Sequence, residues 1–228
     1  MRVSWYALAG AVCFAAICQV SKADTLTFNN STGSLVDAGS STEAAQNVYV
    51  YPYNFSVNGS STNTQLMCIS FDDHITNGES WTASADTIAQ AALSISQATN
   101  TSFSLVETGL EMDAWLYSQA ASGTSTVNAQ MAAWVLSDAT VANSSYDPYY
   151  TGANVAAIDN LLSEAYANAG SVNLNDYVVY VPTSWNASDG VPQTFIGAAP
   201  TPEPGSLALL GTGLLGMGGV FRRRMRKA

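Results

Sequence analysis

The feature that most constrains this chain is the absence of cationic side chains from its centre. All seven Lys and Arg lie at the two ends: Arg2, Lys22, Arg222, Arg223, Arg224, Arg226 and Lys227. Between Asp24 and Pro200 there is none, against sixteen Asp and Glu. A fold built from this stretch cannot use Lys or Arg salt bridges. It must rest on apolar burial and hydrogen bonding. The same surface repels phosphate backbones, which excludes nucleic acid as a partner.

The two ends read as processing segments. Arg2 supplies a positive start, and Trp5 to Cys18 is an apolar run of signal-peptide length. Ser21-Lys22-Ala23 places small residues at the positions that signal cleavage favours, so cleavage is expected before Asp24. At the other end, Gly205 to Phe221 carries no charge. As a helix these residues span about 26 Å, just short of a hydrocarbon core. The basic cluster Arg222, Arg223, Arg224, Arg226 and Lys227 follows at once and resists translocation, which predicts a transmembrane helix with the acidic stretch outside. The division is therefore a signal peptide over 1–23, an ectodomain over 24–199 and a sorting and anchor segment over 200–228. The ectodomain has about 176 residues, enough for one domain with its own core.

Pro202-Glu203-Pro204, the apolar Gly/Leu-rich run and the terminal basic cluster together resemble the PEP-CTERM sorting signal. The resemblance covers Pro200 to Ala228. It implies a Gram-negative exported protein, recognised by the membrane transpeptidase exosortase and linked to exopolysaccharide and biofilm. Membrane association through the C-terminal helix would precede processing, with the cell surface or matrix as destination.

Within the ectodomain, Thr25 to Asn29 and Asn47 to Val57 mix β-branched and aromatic residues as strands do. Gln65 to Phe71 is a short apolar strand carrying Cys68. Helical spacing then predicts helices over Ser84 to Ala98, Val106 to Ala121, Val127 to Ser137 and Asn154 to Ala169. Val178 to Val181 and Gln193 to Ile196 return as strands. Strands, helices, strands in that order predict an α+β fold.

Cys13 and Cys18 leave with the signal segment, so Cys68 is alone and has no internal disulfide partner. Leu66-Met67-Cys68-Ile69 on a strand and Gln130-Met131-Ala132-Ala133-Trp134 on a helix resemble the two halves of the bacterial surface thioester domain. That family has an apolar-Cys-apolar strand facing a Gln-x-x-apolar-Trp helix. The resemblance implies that Cys68 sulfur and the Gln130 carboxamide condense with loss of ammonia, leaving an acyl group that an amine can capture. Where the family often has an acidic residue two positions after the Cys, this chain has Ser70. The ectodomain also lacks any Lys that could attack such a group from within.

His74, beside Asp72 and Asp73, is a candidate activating residue or weak metal ligand, or simply a surface His. No zinc spacing, P-loop or nucleophile elbow is present, and no cofactor, metal or catalytic set is expected. The sequence reads as a non-enzymatic surface or matrix protein active in adhesion, with a surface amine or polysaccharide as target. The alternatives are an inert matrix protein with Cys68 in its core, and a carbohydrate-binding module or hydrolase using Tyr146, Tyr149 and Tyr150.

Overall fold

The structure is a computed structural model and describes residues 22–184, 190–200 and 212. The expected signal segment before Lys22, the Pro202-Glu203-Pro204 motif and the Arg222 to Lys227 cluster lie outside the described residues, as does the expected span over Gly205 to Phe221 apart from Thr212. Among the described residues no helix is long and apolar enough to cross a membrane.

Among the described residues, eight strands and four α-helices follow the expected order, in a mixed α and β fold. The strands are β1 (Lys22–Ser31), β2 (Leu35–Ala38), β3 (Gln46–Tyr49), β4 (Tyr53–Val57), β5 (Thr64–Cys68) and β6 (Ser80–Asp86). The helices α1 (Ile88–Thr99), α2 (Phe103–Ala121), α3 (Thr126–Ser137) and α4 (Ala153–Asn168) come next, and β7 (Tyr177–Ser184) and β8 (Phe195–Ala198) close the chain. Six strands form a closed antiparallel barrel in the order β1-β4-β5-β8-β7-β6, and β2 and β3 make a separate hairpin. Closure comes from β1 lying against β6, with Leu26 opposite Trp81. A closed barrel leaves no strand edge free to pair with another chain.

The barrel is filled by aromatic rings. Phe28, Tyr53, Phe55, Trp81 and Phe195 come from four different parts of the sheet and are all buried. Phe55 stands edge-on to Phe195 with centroids 4.7 Å apart and edge-on to Trp81 at 5.7 Å. Each such side chain contributes about 2–3 kcal/mol by leaving water. This is the apolar term that the missing ion pairs oblige the sequence to supply.

The helices form a layer over the outside of the sheet. Helix α1 lies against β6 and β7, α2 against β8, and α3 against β5, while α4 packs on α2 and α3. Helix α1 starts where Thr87 and Gln90 complete a reciprocal capping box, and it stops at Asn100 in the left-handed conformation. The start expected at Ser84 is therefore displaced: Ser84 to Asp86 finish strand β6, paired to β7 from Val179 to Val181. The single strand expected over Asn47 to Val57 is also two. It breaks at Tyr51-Pro52, where Pro52 has no N–H to give to a ladder.

Candidate functional site

Cys68 ends β5 and Gln130 sits in the second turn of α3, which crosses that strand. Both are fully buried. The Gln130 Nε2 donates to the main-chain carbonyl of Cys68 at 2.5 Å, shorter than the usual N–H···O contact. The carboxamide is thus held on the residue that carries the thiol. Its oxygen Oε1 has no hydrogen-bond partner among the described residues. An unpartnered buried acceptor costs about 1–3 kcal/mol, so this arrangement is not one that stability alone selects.

The sulfur has its own surroundings. The Cys68 thiol donates to the Ser70 carbonyl at 3.0 Å. Burial pushes the thiol up to about 12, and the nearby Trp134 indole N–H and the Ser70 backbone only partly offset it. Among the described residues the indole N–H completes no full hydrogen bond, so its effect on the sulfur is one of proximity. Trp134 is one turn beyond Gln130 and packs edge-on against Phe71 at 5.0 Å. Ser70, noted in the sequence only as a departure from the family pattern, is structural here. Its carbonyl receives the thiol, and its hydroxyl oxygen accepts from the Thr194 N–H at 2.9 Å, tying this loop to the start of β8.

His74 takes no part in this cluster. Its Nε2 lies 3.2 Å from Glu43 Oε2, with about half of the imidazole side chain exposed. Asp72 instead accepts from the Ser40 hydroxyl at 2.7 Å. The carboxyl of Asp73 is raised by burial, opposed by its contact with Ser70. The three neighbours therefore face three different partners. No group of three His, Cys, Asp or Glu among the described residues is placed to hold a metal ion. Of the tyrosines, Tyr149 donates to Asn128 and Tyr150 to Asp159, while Tyr146 is exposed.

Buried acids had no signal in the sequence, and one of them faces a cavity. Asp113 on α2 is 5% exposed and its Oδ1 has no partner among the described residues. Burial raises its carboxyl well above the usual carboxylate range. An acid amid helical apolar residues reads as a solvated position, and only the packing of α2 shows otherwise.

No curated protein sequence matches the chain. Among solved structures, the N-terminal thioester domain of protein F2 like fibronectin-binding protein from Streptococcus pneumoniae is similar at 10% identity, with a TM-score of 0.46. The likeness covers 78% of this chain and 94% of that one. Residues 200–224 match the PEP-CTERM protein-sorting motif. The chain therefore carries the C-terminal signal of an exported protein that exosortase sorts.

Proposed function

We propose that the ectodomain is an adhesive surface or matrix domain that stores an internal thioester between Cys68 and Gln130. The observation that carries this reading is that Gln130 Nε2 donates to the main-chain carbonyl of Cys68 at 2.5 Å, with both residues fully buried. In the condensation the Cys68 sulfur bonds to the Gln130 side-chain carbonyl carbon. The C–N bond breaks, and Nε2 leaves as ammonia with the thiol proton. Loss of Nε2 removes the short contact with the Cys68 carbonyl. The burial of both residues keeps out water that would hydrolyse the acyl group.

An amine on a surface partner then attacks the carbonyl carbon. An amide to Gln130 forms, and Cys68 regains its thiol. The absence of Lys from 24–199 removes internal competitors for that step. Export and sorting by exosortase deliver the domain to where such a partner is found. The test is incubation of native protein with methylamine, followed by peptide mapping. The expected product is methylamide at Gln130 with a newly titratable Cys68. An unlabelled Gln130 in native protein would refute the thioester.

A second reading has one observation in its favour. The Cys68 thiol is satisfied by the Ser70 carbonyl and its pKa is raised by burial, as for an inert core cysteine in a structural matrix protein. In that case the native protein keeps its Gln130 amide and its free thiol.

A further inference from the structure

A cavity of about 800 Å³ opens beside the Cys68 loop, between α1, α2 and the end of β7. Ile69 and Ser70 form one wall, and Ile95, Val106 and Leu110 form the apolar sides. This is the size range of small-molecule sites, which are apolar with a few placed polar groups. The mouth is apolar too: Leu105 is 66% exposed and Val191 is 48% exposed, and both line it. The buried acid in its lining is Asp113, which is 5% exposed and has an oxygen, Oδ1, with no partner among the described residues.

We propose that this cavity binds a primary ammonium ion carried on an apolar body, with the head on Asp113 and the body against α1 and α2. The sign of the head follows from charge. Asp113 and Asp73 both line the cavity, and the surrounding stretch from Asp24 to Pro200 has no Lys or Arg. A carboxylate head would meet two acids and no cation. An alcohol head would satisfy one hydrogen bond and leave the charge complementarity unused. Burial disfavours the charge on Asp113, and an ammonium supplies the positive charge that lets it ionise, with three donors for an acid whose Oδ1 has no partner among the described residues. The apolar body would shield that pair from water, which strengthens it. The site does not require the thioester, since neither Cys68 nor Gln130 supplies a contact in it.

Gly109 gives a clean test. It lies on α2 within the cavity wall, and a Cβ added there meets nothing within 4 Å. Gly109→Leu therefore starts its side chain into open space at the Cβ, and it replaces a poor helix former with a good one. The probe is n-hexylamine, titrated by calorimetry into the full chain in non-ionic detergent. Cys68→Ala is the background, so that covalent capture cannot contribute.

Saturable binding is expected, weakened tenfold or more by Gly109→Leu and by Asp113→Asn, with hexan-1-ol and hexanoate each at least tenfold weaker than the amine. Binding unaffected by Gly109→Leu would place the amine elsewhere and overturn the proposal. Equal binding of hexanoate, or no saturable binding of hexylamine, would overturn it as well. Should Asp113→Asn fail to fold, the Gly109→Leu and hexanoate comparisons decide. Failure here leaves the methylamine result at Gln130 untouched, so the two claims stand or fall separately.

Discussion

Asp147 should make this domain more stable in mild acid than at neutral pH, the reverse of the usual behaviour of a carboxylate. Its side chain is fully buried, and one oxygen accepts from the Tyr149 N–H at 2.7 Å and the Tyr150 N–H at 3.3 Å. The other oxygen, Oδ2, has no partner among the described residues. Burial raises the carboxyl to about 6 from 3.8, against the pull of the backbone N–H groups and with some help from Asp37. The folded state therefore holds a proton that the unfolded chain has already lost. The contribution is fully present below pH 3.8 and disappears as pH rises through about 6. Two pH units at about 1.4 kcal/mol each give about 3 kcal/mol in all, of which about 2 kcal/mol falls between pH 4.5 and 7.5. For a domain of this size that is about 4–8 °C in Tm. The assay is urea denaturation of wild type and Asp147→Asn at both pH values. The wild-type advantage over the variant should be about 2 kcal/mol larger at pH 4.5 than at pH 7.5. An advantage that is the same at both pH values, or larger at pH 7.5, would refute the reasoning.

Three further outcomes follow from the packing and the ends. Phe55→Ala, at the centre of the barrel's ring cluster, should cost about 3–5 kcal/mol in denaturant unfolding, because a fully buried Phe leaves a cavity that the barrel cannot close over. Gly33→Ala should destabilise by about 1–3 kcal/mol or prevent folding, since its Cβ would sit 1.9 Å from the Val50 carbonyl oxygen and only backbone movement could relieve that; unchanged unfolding would show that the β2–β3 hairpin is not seated there. Intact-mass analysis of the surface-released protein should give a chain from Asp24 to a cut near Glu203, whereas a mass that retains Arg222 to Ala228 would contradict processing at the sorting signal.

The helices were legible because their apolar residues recur at helical spacing. Ile88, Ala91 and Ala92 bury one face of α1, and Ile158, Leu161 and Ala165 one face of α4. The barrel was not legible, because its closure depends on β6. Ser84-Ala85-Asp86 looks helical when read as a continuation of the alanine-rich run that follows. The true boundary is written in Thr87-Ile88-Ala89-Gln90, whose Ser/Thr-x-x-Glu/Gln pattern marks an N-cap.

The pairing of Cys68 with Gln130 came from family resemblance, not from spacing. Sixty-two residues separate the two, and only the crossing of α3 over β5 brings them together. Asp113 and Asp147 could not be found this way. An acid in a helix or a turn is usually solvated, and burial is set by distant elements.

The central claim is a covalent bond, and mass tests it most directly. Native protein, denatured in acid without reducing agent and weighed intact, should be lighter than its processed sequence by one ammonia. Cys68→Ala and Gln130→Ala should each restore the full mass expected for their sequences. A native mass equal to the full processed sequence, with one free thiol titrating at Cys68, would contradict the account and leave Cys68 as a core residue.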